Sequence, residues 1–256
     1  MPYSYLVVEG AHDLEFIGCL LRARGLHKVQ REEKLDVFWY PLLPRHYPPG
    51  GDLLKRMPVP VFFQNTSHSV AIHSAGGIDR LVPTVEETRS TPGFNSSEIA
   101  SVGLFLDADW QSAVPDTFAR LKADLEGIRL LVPDEPGAVN QAAPRTGVFI
   151  FPDNRTPGTL ENLLDDCAAL IYRELREKAQ QFTAGAATIQ HTEDDRNEFD
   201  KPAGKMKVTM GCIANFLRPA KAIQTSIADN RWLREESLAL PNIARLDTFL
   251  KDLIGL

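Results

Sequence analysis

The run from Ser101 to Leu106 is almost continuously apolar over the length of one strand and then stops at Asp107, Ala108 and Asp109. A strand without polar alternation has to be covered on both faces, which is the condition of a central strand in a parallel α/β sheet. The opening run, Ser4 to Val8, is of the same kind. It hands over at Glu9 and Gly10 to a helical pattern in which Leu14, Ile17, Cys19, Leu20 and Leu21 make an apolar face through about Ala23. Both strands therefore end in carboxylates. In an open parallel sheet the functional crevice lies beyond the carboxyl ends of the strands, so Glu9, Asp13, Asp107 and Asp109 are expected to meet there although they lie far apart in the chain.

Strand and helix alternate further along. Leu35 to Leu43, carrying Val37, Phe38, Trp39 and Tyr40, reads as an inserted or edge strand ended by the Pro/Gly cluster from Pro44 to Gly51. Pro60 to Phe63 and Ser69 to His73 read as strands, and Ser74 to Gly77 as a turn opening a helical segment with Ile78, Leu81 and Val82. Ala113 to Glu126 has helical spacing, Val148 to Phe151 is a short strand closed by Pro152, Asp153 and Asn154, and Thr159 to Gln181 reads as one long helix. His191 to Asp200 is expected as a loop, with Lys205 to Leu217 and Ala244 to Ile254 as helices. The economical organisation is an α/β core over 1–183, with an insertion around 30–65, and a C-terminal loop and helices over 184–256 that pack on it.

The 256 residues, 43% of them hydrophobic, suffice for a sizeable core. No stretch approaches the roughly 20 consecutive apolar residues of a membrane span, and the start lacks the basic and apolar regions of a signal peptide, so a soluble, cytoplasmic protein without a membrane partner is expected. Cys19, Cys167 and Cys212 are an odd number among apolar neighbours without C-x-x-C spacing, which speaks for reduced core residues. A net charge of −6, from 34 acidic and 28 basic residues, excludes a general coating of nucleic acid phosphate. It leaves room for a local contact, because divalent cations reverse the sign of an acidic cleft.

Asp13 falls in the first turn of the first helix, where free amides favour an anion. Asp107 and Asp109, two apart, share one side if the strand stays extended, with Ala108 pointing away. Hard oxygen ligands of this kind suit Mg2+ or Mn2+. The plain alternative is that these are helix-capping and loop acids on a solvated surface.

The Val-Glu-Gly-x-x-Asp motif at Val8 to Asp13, the Gly76 and Gly77 turn, and the Leu-Asp-Ala-Asp motif at Leu106 to Asp109 together resemble the Toprim domain of topoisomerases, bacterial primases and overcoming-lysogenization-defect (OLD) nucleases. The segment Pro157 to Leu164 is similar to a Gly-x-x-Glu helix start of the OLD-like branch and of an uncharacterised Toprim-like bacterial and archaeal family. The resemblance covers roughly residues 3 to 180 and implies a Rossmann-like parallel sheet flanked by helices. It implies Glu9 as a metal ligand or general acid/base, Asp107 and Asp109 as ligands of the essential Mg2+ or Mn2+, and Asp13 with Glu161 as a second metal position. Gln111 stands where many topoisomerases carry a third acid, which argues against topoisomerase-like use of the site. Divalent-metal-dependent phosphoryl transfer on nucleic acid, DNA or RNA, is the function implied, most simply phosphodiester cleavage by a nuclease that could also have a protein partner.

Lys205 and Lys207 are the candidates for neutralising a phosphate in the transition state, Lys205 being the catalytic choice; a solvated helix face is the more usual account of such a pair. Ser74 sits in a sequence like a nucleophile elbow, but Ile72 replaces the first glycine, so a serine hydrolase is a minor alternative. Ser74 with Gly76 and Gly77 could instead bring a helix N-terminus to a phosphate, or be plain loop geometry. Arg45, His46, Trp39 and Tyr40 could border a substrate groove, though core packing of the aromatic residues is the simpler account. With no P-loop and no G-x-G-x-x-G after a strand, a regulatory subunit that binds metal or nucleotide without cutting is the main alternative to the nuclease.

Overall fold

The computed structural model describes residues 1–44, 59–110, 113–190 and 192–256. Strands β1 (Tyr3–Val8), β4 (Ser69–Ser74), β5 (Ile99–Asp107) and β7 (Arg145–Phe151) pair in parallel at the centre of a seven-stranded sheet. Its order is β2-β3-β4-β1-β5-β7-β6, where β2 is His27–Lys28, β3 is Val61–Gln64 and β6 is Val139–Asn140. The edges are antiparallel: β3 runs against β4, β2 against β3, and β6 against β7. The fold is thus Rossmann-like α/β, with the expected parallel sheet confined to its middle. The chain leaves β1 to build one half of the sheet up to β4, then returns to the other side of β1 with β5. The crevice between the carboxyl ends of β1 and β5 is therefore the topological switch point.

The two faces are filled by opposite sets of side chains from the same strands. Leu6 and Val8 of β1 join α1 (Ala11–Ala23) and α4 (Leu160–Ile171) in one core, while Tyr5 and Val7 join α2 (Leu81–Arg89) and α3 (Val114–Gly127) in the other. Phe105 and Leu104 of β5 divide in the same way. This period of two, apolar on both phases, is why the central strands read as unbroken hydrophobic runs.

The aromatic run at 35–43 is not a strand. Val37–Leu42 forms 3₁₀ turns, because the Asp36 carboxylate accepts the Phe38 N–H at 2.9 Å and caps them, and Pro41 has no N–H to give a ladder. The aromatics are core, as the simpler account had it: Trp39 is fully buried, donates its indole N–H to Ser69 Oγ at 2.8 Å, and packs with Phe38, Phe62 and Phe94. Arg45, His46 and the Pro/Gly cluster beyond Pro44 lie outside the described residues.

The long helix expected over Thr159–Gln181 is two helices, α4 and α5 (Arg173–Ala186). They are broken at Tyr172, whose hydroxyl donates to the Arg231 carbonyl at 2.7 Å and whose ring carries the Arg234 guanidinium 5.3 Å above it. Part of the loop expected at 191–200 is helical, α6 (Glu193–Phe199), capped by Thr192, whose hydroxyl accepts the Asp195 N–H, with three acids in the first turn.

The C-terminal helices α7 (Gly204–Leu217), α8 (Ile223–Ala228) and α9 (Pro241–Ile254) put Met210, Ile213, Ile227, Leu250 and Leu253 into the same core as α1 and α4. Helix α9 lies so close on the sheet that a Cβ at Gly147 would stand 2.7 Å from the Phe249 ring, and one at Gly103 would overlap Leu253. Arg24, at the end of α1, holds the buried Asp247 of α9 through two hydrogen bonds of 2.8 and 2.5 Å. Cys19, Cys167 and Cys212 are free thiols. Among the described residues no helix is long and apolar enough to cross a membrane.

Candidate functional site

Four acids converge where the switch point predicts a crevice. Glu9 follows β1, Asp107 ends β5, and Asp13 and Glu161 stand in the first turns of α1 and α4. With Gly10, His12, Leu160 and Lys207 they line a small cleft of about 190 Å³. Helices α1 and α4 both begin here, so the free amides of two helix starts face the same space.

Three of the four carboxylates accept a backbone N–H, two of them from a neighbouring element and Asp13 from the N-cap of its own helix. The Asp107 N–H donates to Glu9 Oε2 at 3.3 Å, the Leu160 N–H donates to Asp107 Oδ1 at 2.9 Å, and the Gly10 N–H donates to Asp13 Oδ2 at 2.7 Å. The Gly76 and Gly77 amides donate to the Glu9 carbonyl at 2.9 and 3.1 Å. These glycines have φ of 81° and 141°, a conformation that a Cβ opposes. The turn expected either to meet a phosphate or to be plain loop geometry spends these two amides on holding Glu9 in place.

The electrostatics are those of acids placed too close together. Burial first, then the charges of Asp13, Glu161 and Glu9, push the Asp107 carboxyl well above the usual range. Burial, together with Glu9 and Glu161, lifts Asp13 to about 7, against the lowering effect of the Gly10 N–H and Lys207. Glu9 is raised by burial and by Asp109 and Asp79, with the Asp107 N–H and Lys207 opposing. His12, 4.0 Å from Glu161 through Nδ1, has its pKa lowered by burial, which the Glu161 charge only partly offsets. The cleft favours any positive charge that can enter: a proton, or a cation.

A scan against family models matches residues 3–255 to the family described as "Protein of unknown function (DUF3226)". The chain belongs to that family. No curated protein matches. Among solved structures, hypothetical protein PH0156 from Pyrococcus horikoshii OT3 is similar at 16% identity and a TM-score of 0.60, with 99% of this chain and 95% of that chain covered. At that identity the likeness extends to the fold, including the helices after residue 184.

Of the residues singled out by sequence, Glu9, Asp13, Asp107 and Glu161 come together; Asp109 and Lys205 stand apart from them. The extended geometry that would align Asp109 with Asp107 is lost, because β5 ends at Asp107 and Asp109 takes a left-handed φ of 54°. There it exchanges backbone hydrogen bonds with Gly158 and sits exposed on the rim, near enough for its charge to act on Glu9. Lys205 rides 5.8 Å over the Phe199 ring, and Lys207 is the lysine that lines the cleft. His12 escaped the sequence reading; its place in the first turn of α1, between Glu9 and Asp13 of the motif, was the available signal. Ser74 ends β4, and its strand neighbour His73, whose Nδ1 is bonded to the Tyr5 hydroxyl at 2.8 Å, points to the opposite face of the sheet. Gln111 lies outside the described residues. Among the described residues no three His, Cys, Asp or Glu side chains stand close enough to hold a metal ion as they are. The donor set matches a hard dication in chemistry, all oxygen and poorly solvated, and its side chains have to draw together to close on one.

Proposed function

We propose that this chain is a Toprim-type phosphoryl-transfer enzyme, dependent on Mg2+ or Mn2+, that cleaves phosphodiesters in DNA or RNA in the cytoplasm. The observation that carries the reading is the convergence of Glu9, Asp13, Asp107 and Glu161 at the switch point, where burial and neighbouring charge raise the proton affinities of Glu9, Asp13 and Asp107. Crowded acids that ordinary folding stability would not select are what a cation site requires. Glu9, Asp13, Asp107 and Glu161 would hold the ions, with Asp109 on the rim. A bound dication supplies charge, acidifying water and stabilising the leaving oxygen.

The remaining steps fall to the chain itself. Two glycine amides and the Asp107 N–H hold Glu9 for proton transfer at its carboxylate, and Lys207 offers an ammonium to a phosphate oxygen at the cleft mouth. A second reading is a regulatory module that binds metal or nucleotide through the same acids without turnover.

The test is calorimetric titration of Mn2+ into the wild type and into the Asp107→Ala, Asp109→Ala double variant, followed by incubation of both with labelled single- and double-stranded DNA and RNA. Binding and cleavage by the wild type alone are expected. Binding without cleavage selects the regulatory module, and equal cleavage by both proteins removes these residues from the reaction.

A further inference from the structure

The three tryptophans of this chain are treated unequally. Trp39 and Trp232 are 0% exposed, and each donates its indole N–H to a serine hydroxyl, Ser69 at 2.8 Å and Ser226 at 2.7 Å. Trp110 is 45% exposed and directly follows Asp109. A half-exposed indole forgoes much of the burial that the other two obtain, so packing alone gives little reason for so large a ring there.

Its attachment is firm. Asp109 donates its N–H to the Gly158 carbonyl at 3.0 Å and accepts the Gly158 N–H at 3.2 Å. Gly158 in turn sits where a Cβ would stand 2.6 Å from Asn162 Oδ1, the oxygen that accepts the Thr159 N–H at the start of α4. The backbone carrying Trp110 is thus tied to the same helix start whose Leu160 N–H holds Asp107. A large, half-exposed flat π surface thus directly follows a residue whose backbone is fixed beside the acidic crevice.

We propose that Trp110 is a stacking platform for an unpaired nucleobase attached to the phosphate that the crevice handles. The inference rests on the phosphoryl-transfer reading and narrows its substrate to single-stranded nucleic acid or a free nucleotide. Every base offers a π face, so an exposed indole binds without regard to sequence. Within a duplex those faces are occupied by neighbouring base pairs, and only an unstacked base can use the platform.

Because Trp39 and Trp232 are buried, quenching of intrinsic fluorescence on titration reports on Trp110. The probes are a short oligothymidylate, an abasic oligomer of the same length, thymidine monophosphate and a covalently closed circular duplex without free ends, all with Ca2+ replacing Mg2+ to suppress cleavage. Oligothymidylate is expected to quench the wild type and to bind Trp110→Ala about five- to a hundredfold more weakly, while Trp110→Phe keeps part of the affinity. The abasic oligomer is expected to bind wild type and Trp110→Ala alike without quenching. Quenching by the monophosphate as strong as by the oligomer identifies a free nucleotide as the ligand, and quenching by the oligomer alone identifies the single strand. The platform is overturned if the abasic oligomer or the duplex quenches as strongly as oligothymidylate, or if Trp110→Ala binds oligothymidylate as the wild type does. Calorimetry with Mn2+ on the wild type separates the two readings. Heat without quenching overturns the platform and leaves the metal site standing; quenching without heat overturns the metal site alone.

Discussion

Asp13 and Asp247 are buried to the same degree, at 5% and 4% exposure, and have opposite company. Asp247 of α9 receives the Arg24 guanidinium through two hydrogen bonds and has the Lys251 ammonium 3.3 Å away. Asp13 of α1 receives one backbone N–H, and its carboxyl is raised by burial first and then by the charges of Glu9 and Glu161. The first arrangement is what folding stability asks of a buried acid. The second works against stability and persists because it serves something else, which is why the crevice and not the α9 seam is read as the functional site.

The contrast is broken most directly at its stable end. Arg24→Met should cost about 2–4 kcal/mol, since it removes the main partner of a buried carboxylate and leaves Asp247 only Lys251. Urea denaturation at pH 7 measures it, and a loss below about 0.5 kcal/mol would show that the α9 pair is not the well-compensated member of the comparison.

At the strained end the effect is smaller and of opposite sign. The folded state holds the Asp13 proton up to about pH 7, whereas the unfolded chain releases it near pH 4. The folded form therefore binds more protons in that window, so stability of the metal-free protein falls as pH rises from about 4 to 7 and stays lower above it. Glu9 and Asp107, raised by the same causes, contribute with the same sign. Asp13→Asn keeps an oxygen for the Gly10 N–H and cannot ionise. It should match the wild type at pH 4 and exceed its stability by about 1–2 kcal/mol at pH 8 in the presence of a chelator. Mn2+ at a hundred times its dissociation constant should add about 2.7 kcal/mol to the wild type and less to the variant. A variant less stable than wild type at pH 8 would mean that Asp13 is only a helix-capping acid.

How much of this was legible in the sequence differs between the same two regions. Glu9 and Asp107 could be placed because each follows an apolar run long enough to be one buried strand, and Asp13 because it opens a helix, whereas Glu161 was implied only by the resemblance of Pro157 to Leu164 to a Gly-x-x-Glu helix start. Their meeting follows from strand order alone. The extended alignment of Asp109 with Asp107 does not form, because Asp109 takes a left-handed turn bonded to Gly158, a partner far along the chain. The aromatic run at Phe38 to Tyr40 has strand-like composition, and what makes it 3₁₀ is one carboxylate, Asp36, reaching two residues ahead. The seam between α9 and the sheet left its mark only as Gly103 and Gly147, whose missing side chains make room for Leu253 and Phe249. A glycine inside a strand says that something approaches closely, and nothing in the sequence says what.

The lysines show the same limit on the finest scale. Lys205 and Lys207 are two residues apart on α7, about 200° around the helix, so packing that settles one settles the other. The phase is fixed by Met210, Ile213 and Ala214, which are buried in the core and carry Lys207 to the cleft while Lys205 lies over Phe199. Lys207→Ala should lower cleavage of nucleic acid about tenfold and make binding less salt-dependent by about one unit of log–log slope, as the loss of one phosphate contact requires. Lys205→Ala should leave both unchanged and alter stability by no more than about 0.5 kcal/mol. Assays of both variants across a salt series decide between them: a larger effect at Lys205 would mean that the substrate approaches from the Phe199 side of α7, away from the acids, and Lys207 would lose its role as the crevice's partner for phosphate.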